Sequence, residues 1–294
     1  MPKKKMDVSG TTVKLSTLEK RQPLLDALTL NDPDVTDGVI WTNTGFVSHN
    51  TAKCQDGSNN GNYDVLFEIF ERSWAALQAY QSLKDPQNDI VLEMGCADMV
   101  LYNSFKMHRN YPNYIGVDLR RDYLLASPHR TRKDVIALCA DLSDPIPVKD
   151  ESISAIVITE VVEHITLEQN LKIFKEAYRL LKPGGKMFVG SPFNTKDRVF
   201  HDLEKEKNLG HIFFWTDDQF EEETRKIGFS SLDKKWGYSI SSKIIITEIK
   251  KHLPPDVAKF IDTIGEMYGG PVARALALSY PDLPNGGCRF TLTK

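Results

Sequence analysis

Short apolar runs separated by stretches with helix-like spacing dominate the middle of the chain. The runs predict five strands, at 89–94, 114–118, 134–140, 153–159 and 186–190. The stretches between them carry apolar residues at helical spacing and predict helices at 98–109, 122–128 and 167–181. Because strands alternate with helices, the pattern predicts an α/β fold with a parallel sheet.

The link between the third and fourth predicted strands breaks this alternation. Residues 141–151 are rich in Asp and Pro and too short for a long helix, so this crossover is predicted to be a loop or a single turn. Further along, Thr216 can cap a helix that runs to Lys226, and Gly228 is its natural stop. Two more strands, at 232–236 and 289–293, bring the predicted number to seven.

The segments around these strands differ in character. Residues 1–62 are polar with little periodicity, which predicts an N-terminal arm outside the core. Residues 63–83 carry apolar side chains at helical spacing and predict an amphipathic helix. Residues 241–284 also show helical periodicity and predict a helical insertion before the last strand. The chain is therefore divided into an arm, 1–62, and a domain, 63–294. Two roles stay open for the insertion: a cover over a substrate pocket, together with the arm, and a peripheral packing element.

Composition narrows the classes of function. With 294 residues, 41% of them hydrophobic, the chain can bury one large core. A net charge of −3 gives no broad basic field, so long nucleic acid is not an expected partner. We find neither an apolar run of membrane-spanning length nor a signal peptide, and we expect a cytoplasmic protein without membrane contact. A reducing compartment also suits the cysteines, which form no paired motif: Cys54, Cys96, Cys139 and Cys288.

Candidate chemistry begins at the end of the first predicted strand. Gly95 opens a turn into a helix, which can place backbone amides beside the carboxyl end of the strand. A dinucleotide site would need three glycines here, but the positions are Gly95, Ala97 and Val100. Glu93 would repel a pyrophosphate but can accept hydrogen bonds from an ammonium group. The loop therefore favours a ligand with an amino-acid end over a dinucleotide.

Acids also end the next two strands. Asp118 lies 25 positions after Glu93, near the spacing of a ribose-binding carboxylate. Asp141 could accept a hydrogen bond from the exocyclic amine of adenine, with Leu142 over one face of the ring. We predict that Glu93, Asp118 and Asp141 converge on one adenosyl ligand with an amino-acid tail.

The fourth and fifth strands carry longer motifs. The fourth is followed by Glu160-Val161-Val162-Glu163-His164, and the fifth is introduced by Leu181-Lys182-Pro183-Gly184-Gly185. This series resembles the class I S-adenosylmethionine-dependent methyltransferases, in particular the group with E-V-x-E-H and L-K-P-G-G at these places. The resemblance covers residues 89–191 and resumes at 209–229. It implies a Rossmann-like, doubly wound, mostly parallel sheet of seven strands with the last antiparallel.

The resemblance also implies S-adenosylmethionine as the cofactor. The sequence departs from the family's usual glycine loop at Ala97 and Met99. We expect Ala97 to be tolerated with a negative φ, and Met99 to narrow the pocket around the methionine end. The implied cofactor-binding residues are Glu93, Gly95, Cys96, Ala97, Asp118, Leu119, Asp141, Leu142 and Thr159.

The catalytic candidates follow the fourth strand or lie near residue 211. Methyl transfer needs in-line approach of the nucleophile and exclusion of water, and a base only where the acceptor loses a proton. Glu160 and His164 are four residues apart and, on a helical turn, would share one face with Glu163. In a first interpretation, His164 or His211 is a general base that a carboxylate such as Glu160 orients.

Two other interpretations of these residues stay open. In one, Glu160, Glu163, His164 and His211 bind a divalent metal, as in the small-RNA 3′-terminal 2′-O-methyltransferases that the motif resembles; some ubiquinone-pathway O-methyltransferases have a similar E-x-x-E-H. In the other, Glu163 caps the next helix and His211 packs under Trp215.

The expected function is methyl transfer to an oxygen, less readily a nitrogen, of a small or medium-sized acceptor. The sequence gives no indication of the oligomeric state. The alternatives are metal-assisted 2′-O-methylation of an RNA 3′ end and a non-catalytic module that binds the cofactor.

Overall fold

The described part of the chain is organised around one mixed sheet of eleven strands. The computed structural model describes residues 10–42, 75–106, 108–206, 209–236, 250–251, 253–268 and 287–294. The strands are β1 (Thr12–Lys14), β2 (Asp34–Thr36), β3 (Val39–Trp41), β4 (Ile90–Met94), β5 (Asn113–Asp118), β6 (Val135–Cys139), β7 (Ile153–Thr159), β8 (Leu181–Asn194), β9 (Trp215–Thr216), β10 (Ser231–Trp236) and β11 (Gly287–Thr293). The helices are α1 (Gln22–Ala27), α2 (helical at residues 75–82), α3 (Val100–Lys106), α4 (Arg121–Ala126), α5 (Leu167–Leu180), α6 (Leu203–Glu206), α7 (Asp217–Ile227) and α8 (Pro255–Tyr268).

The order of the strands is that of a doubly wound sheet. It runs β1-β2-β3-β6-β5-β4-β7-β8-β11-β10, with β9 paired to β8. The strands from β3 to β8 in this order pair in parallel, whereas β11 is antiparallel to both of its neighbours. The chain winds outward from β4 in both directions, so a topological switch point lies between β4 and β7. The predicted fold class is confirmed: the seven expected strands are β4 to β8, β10 and β11.

Both faces of the central strands are buried, which explains their near-continuous apolar sequences. All residues of β4 and β5 are buried. Val91 and Val157 belong to one hydrophobic cluster, whereas Leu92 and Ile156 belong to the other. Because successive side chains of a strand point to opposite faces, the two clusters lie on the two sides of the sheet. Because β4 to β7 pair in parallel, their carboxyl ends lie at the same edge of the sheet, and hydrophobic clusters pack against both faces of these strands.

The N-terminal segment adds three strands to this sheet. β1, β2 and β3 form an antiparallel meander, and β3 pairs in parallel with β6. Leu24, Val39 and Ile40 are buried. The expectation of a polar segment outside the core therefore needs correction for residues 12–41. Each of these strands has only three residues, which is too short for an alternating pattern to be recognised.

Several local predictions can be compared with the structure. Residues 141–151 contain no helix, as expected. The Thr216 side chain caps α7 by accepting a hydrogen bond from Gln219 N at 3.3 Å, and the helix ends at Gly228, with φ of +123°. The predicted helix at 63–83 is present over residues 75–82, and its earlier part lies outside the described residues, as does the boundary at 62.

The predicted insertion contains a helix. α8 lies within 241–284, but most other residues of that range are outside the described part of the chain, so its role as a cover stays a prediction. Among the described residues, no helix combines the length and the apolar character that a membrane crossing requires.

Candidate active site

The loop after β4 is built on left-handed backbone. The φ angles are +76° at Gly95, +46° at Ala97 and +63° at Met99. The prediction of a negative φ for Ala97 is therefore wrong, and a non-glycine residue in this region costs about 1–2 kcal/mol. Ala97 N donates a 2.8 Å hydrogen bond to Asp118 Oδ2, and this charge-assisted bond offsets part of the cost. The Met99 side chain is fully buried in the hydrophobic cluster that contains Val91.

There is also no room for a side chain at Gly95. A Cβ atom at this position would lie 2.4 Å from Cγ2 of Val161, the second residue after β7. This contact brings the loop after β4 against the loop after β7 at the carboxyl edge of the sheet.

A pair of glycine substitutions tests this close approach. Gly184 has the same φ of +76° as Gly95, but a Cβ atom there would meet nothing within 4 Å. Gly184→Ala should lower the free energy of unfolding by about 1 kcal/mol, the cost of left-handed backbone alone. Gly95→Ala should lower it by about 2–4 kcal/mol, because overpacking against Val161 adds to that cost. Urea unfolding measures both values, and equal losses in the two variants would contradict the Val161 contact.

Asp118, the last residue of β5, accepts hydrogen bonds from the segments that follow β4, β5 and β6. Its Oδ2 accepts the hydrogen bond from Ala97 N, its Oδ1 accepts one from Arg120 N at 2.7 Å, and its backbone oxygen accepts one from Ala140 N at 3.0 Å. Burial raises the pKa of the Asp118 carboxyl group, although the hydrogen bonds from Arg120 N and Ala97 N oppose this shift. Each carboxylate oxygen keeps a second lone pair, so the two hydroxyls of one ribose could be accepted together. This arrangement fits the role that the sequence predicts.

The other two strand-end acids have partners of their own. Glu93 is buried and accepts a hydrogen bond from the Tyr114 hydroxyl. Asp141 Oδ1 closes its own turn by accepting hydrogen bonds from N and Oγ of Ser143, at 2.9 and 2.7 Å. All three acids end adjacent parallel strands, but their contacts with a cofactor stay a prediction.

The remaining predicted cofactor residues follow strands at the same edge. Cys96 is fully buried in the loop after β4, and burial raises the pKa of its thiol well above the usual value. Leu119 follows β5, Leu142 follows β6 and Thr159 is the last residue of β7. Leu142 and Thr159 are buried.

A group of possible metal ligands lies beyond the end of β7. Glu163, His164 and His211 each offer one ligand atom, and these atoms all lie within 4.8 Å of one another. We call this group the EHH cluster. Glu163 and His164 belong to a 3-10 turn, Val162–His164. The segment that carries His211 is bound to this turn, since Ile212 N and Phe213 N donate to the backbone oxygen of Glu163 at 2.8 and 3.2 Å.

Both histidines of the EHH cluster are held through Nδ1. His164 Nδ1 lies 3.2 Å from the backbone oxygen of Gly210, and His211 Nδ1 lies 2.9 Å from Glu206 Oε2. Burial by itself raises the pKa of Glu206, but hydrogen bonds from His201 and His211 outweigh it and lower the pKa to about 2. Because a carbonyl and a carboxylate only accept hydrogen bonds, Nδ1 carries the proton in each neutral ring. The lone pair is then on Nε2, as in most metal-binding histidines.

Glu163 supplies the negative charge of the cluster. The residue is 1% exposed. Its Oε2 accepts a 2.9 Å hydrogen bond from Ser191 Oγ, whereas its Oε1 has no hydrogen-bond partner among the described residues. Oε1 lies 3.8 Å from His164 Nε2. A buried carboxylate oxygen without a donor is costly, and a cation would satisfy it. One carboxylate oxygen and two imidazole nitrogens form a donor set that fits a first-row divalent metal.

Glu160 is not part of the EHH cluster. It has left-handed backbone, with φ of +54°, and its N donates to the Gly190 backbone oxygen at 3.0 Å. The chain then enters the 3-10 turn instead of a continuous helix, so the helical face expected for Glu160, Glu163 and His164 does not form. A catalytic or metal-binding role for Glu160 stays a prediction.

The prediction that Glu163 caps the next helix is wrong, whereas a structural role for His211 stays open. Thr166, not Glu163, caps α5, through a capping box with Gln169. The described partners of the His211 ring include Glu206 and the ring of His164, with ring centroids 4.9 Å apart. The sequence analysis missed Ser191, which ends the stretch of resemblance at 89–191, and it missed His201 and Glu206, which lie in no recognisable motif.

The comparisons with known proteins agree with this architecture. Residues 92–189 match the family model described as a methyltransferase domain. A comparison of the sequence with curated proteins found no match.

Solved structures with a similar fold include methyltransferases. A chain of the Haloferax volcanii complex between the Trm112 methyltransferase activator and a methyltransferase is 17% identical, with a TM-score of 0.54 over 84% of this chain and 98% of that chain. Haemonchus contortus phosphoethanolamine N-methyltransferase 2, solved with phosphomonomethylethanolamine and S-adenosylhomocysteine, is 17% identical, with a TM-score of 0.51 over 84% of this chain. The match covers 60% of the length of the Haemonchus enzyme. Residues 92–189, about a third of the chain, are thus similar to a methyltransferase domain, and the doubly wound sheet is the fold that these solved structures share with the chain.

Proposed function

We propose that the chain is an S-adenosylmethionine-dependent methyltransferase, that it methylates a hydroxyl oxygen of an acceptor bound beside the EHH cluster, and that this cluster binds a divalent metal. The observation that supports the proposal is the arrangement of the cluster itself. Glu163 Oε1 has no other partner among the described residues, and the hydrogen bonds at Nδ1 leave Nε2 of His164 and His211 with a lone pair. Three converging ligand atoms with outer hydrogen bonds are typical of metal sites.

The reaction moves a methyl group from the sulfonium sulfur to the acceptor oxygen. The S–CH₃ bond breaks with its electron pair left on the sulfur, the O–CH₃ bond forms, and the hydroxyl proton passes to water, so that the products are the methyl ether, S-adenosylhomocysteine and a proton. A bound divalent metal would supply acidification of the acceptor hydroxyl. In this proposal, Asp118 and the loop after β4 hold the cofactor, and the EHH cluster orients the hydroxyl for in-line attack.

We propose a small or medium-sized acceptor with two neighbouring oxygen atoms and an apolar part. Large apolar side chains are exposed along the segment that carries His211, and exposed apolar groups often mark contact surfaces. They are 41–73% exposed: Val199, Leu203, Leu209 and Ile212. A cytoplasmic location, without membrane or long nucleic-acid partners, is part of this proposal.

A second candidate is 2′-O-methylation of an RNA 3′ end. The terminal ribose also offers two neighbouring hydroxyls, and the resemblance of the E-x-x-E-H motif favours this acceptor. The net charge of −3 argues for contacts confined to the end of the RNA.

Removal of metal tests the proposal. After dialysis against a chelator, methyl transfer should fall about 100-fold or more, because a coordinated hydroxyl is far more acidic than a free one, and Mn²⁺ should restore it. The assay compares a catechol, its monohydroxy analogue and a short RNA with a free 3′ ribose. Calorimetry with S-adenosylmethionine serves as the control, since the affinity for the cofactor should not change.

Two results would change the conclusion. Full activity in chelated, metal-free enzyme would exclude a required metal and favour His164 or His211 as a general base. Transfer to the RNA alone would favour the second candidate.

A further inference from the structure

We infer that Glu206 is a positioning residue that fixes which ring nitrogen His211 presents to the EHH cluster, and that His201 holds Glu206 in place. This inference rests on the proposed function of the cluster. Glu206 bridges the two histidines: its Oε1 lies 2.9 Å from His201 Nδ1 and its Oε2 lies 2.9 Å from His211 Nδ1.

The three side chains are largely removed from solvent. The side chains of His201, His211 and Glu206 are 8%, 11% and 21% exposed. An exposed ion pair contributes little and exchanges with water, but this bridge has both carboxylate oxygens engaged. The Glu206 carboxylate can therefore hold the His211 ring in a fixed orientation.

The last residue of β8 holds the backbone of His201 by hydrogen bonds. Asn194, the last residue of β8, accepts hydrogen bonds at Oδ1 from Phe200 N and His201 N, both at 2.8 Å. Its Nδ2 donates to the His201 backbone oxygen at 3.1 Å. A continuous path of hydrogen bonds thus runs from the sheet through His201 and Glu206 to His211. A binding site with a defined geometry requires that its ligand side chains are held in place by such outer hydrogen bonds.

The bridge matters because a neutral imidazole has two tautomers. Only the tautomer with the proton on Nδ1 has a lone pair on Nε2 for a metal or an acceptor proton. The Glu206 carboxylate accepts hydrogen bonds but cannot donate one, so it selects that tautomer. In Glu206→Gln, the amide NH₂ group can face Nδ1 of His211 instead and select the wrong tautomer.

The test uses the full chain and Mn²⁺ alone as the probe. Calorimetric titration should show that Glu206→Gln weakens Mn²⁺ binding about 10–100-fold, the usual effect of losing such an outer partner. Affinity for S-adenosylmethionine should stay within about threefold of wild type. Glu204→Gln is the matched control, because Glu204 lies on the same short helix but is exposed, and its Mn²⁺ affinity should equal that of wild type.

His201 provides a second pair of variants. His201→Asn keeps an N–H donor near the position of Nδ1 and should retain Mn²⁺ affinity, whereas His201→Phe removes the donor and should weaken binding. If Glu206→Gln does not fold, the two His201 variants still test whether the hydrogen bond from His201 to Glu206 is needed for Mn²⁺ binding.

Nitrogen NMR of the metal-free chain measures the tautomer directly and separates the two levels of the proposal. Wild type should show His211 protonated at Nδ1, and Glu206→Gln should lose this preference. If wild type binds no Mn²⁺ but shows this change, the metal proposal fails and the positioning role stands. An unchanged tautomer, or wild-type Mn²⁺ affinity in Glu206→Gln, would overturn the inference.

Discussion

Glu163→Gln should reduce turnover about 100-fold or more while S-adenosylmethionine binds within about threefold of its wild-type affinity. The amide keeps the size of the side chain but removes the negative charge from the EHH cluster. Glu163 Oε1 is a buried atom with no hydrogen-bond donor among the described residues, and it belongs to the EHH cluster, so it is well placed to contact a cation. The contacts with S-adenosylmethionine are predicted at other residues, so we expect the affinity for the cofactor to stay unchanged.

The same substitution should have an opposite effect on the stability of the metal-free protein. A buried charge without a full set of partners destabilises the folded state, so its removal should raise the free energy of unfolding by about 1 kcal/mol. Added Mn²⁺ should raise the melting temperature of wild type but not of the variant.

Kinetics and thermal unfolding with and without Mn²⁺ measure both effects. Glu168→Gln is the control, because Glu168 is exposed on α5, where it forms an ion pair with Lys172 at 2.9 Å. Wild-type turnover in Glu163→Gln, or a loss of stability without metal, would show that Glu163 has a structural role only.

Asp118→Asn should weaken S-adenosylmethionine binding about 100-fold. The carboxylate is placed to accept two ribose hydroxyls, and hydrogen bonds to a charged group contribute about 1.5–3 kcal/mol each. An amide offers a single acceptor oxygen, so it cannot keep the bonds from Ala97 N and Arg120 N and also accept two hydroxyls. A loss of about 2.8 kcal/mol corresponds to the expected hundredfold change.

Calorimetric titration of both the variant and a matched control decides this prediction. Asp122→Asn is suitable, since Asp122 lies on the same short segment but is exposed and paired with Arg120. Its affinity should equal that of wild type. If Asp118→Asn binds the cofactor within threefold of wild type, the ribose contact is assigned to the wrong residue.

The centre of the fold was predictable because its strands are buried on both faces. β4 and β5 are continuous apolar runs with terminal acids, so their order and type follow from the sequence alone. β8 is longer than predicted, because Leu181 already pairs with Ile153 and a register shift before Ala155 accommodates the proline and glycines. In the N-terminal meander, β3 pairs with β6, and β2 and β1 extend the sheet from β3; no local pattern reveals these pairings.

The site was predictable only where a motif carries it. Glu163 and His164 belong to such a motif, and His211 follows from the resemblance. Glu206 and His201 are brought to the cluster by the path of an irregular segment, and their even spacing of five residues from His201 to Glu206 to His211 is a weak signal. The left-handed backbone of Ala97 depends on its bond to Asp118, 21 positions away, which composition does not indicate.

The meander of β1 to β3 also determines which strand forms the outer border of the sheet. Without it, β6 would present five buried residues and an open row of backbone N–H and C=O groups to other molecules. With it, the border of the sheet in the described part of the chain is β1, a strand of three residues whose Lys14 forms an ion pair with Asp34 at 2.9 Å. Short, charged borders resist strand-to-strand association between molecules. We therefore expect the N-terminal segment to protect the protein against aggregation.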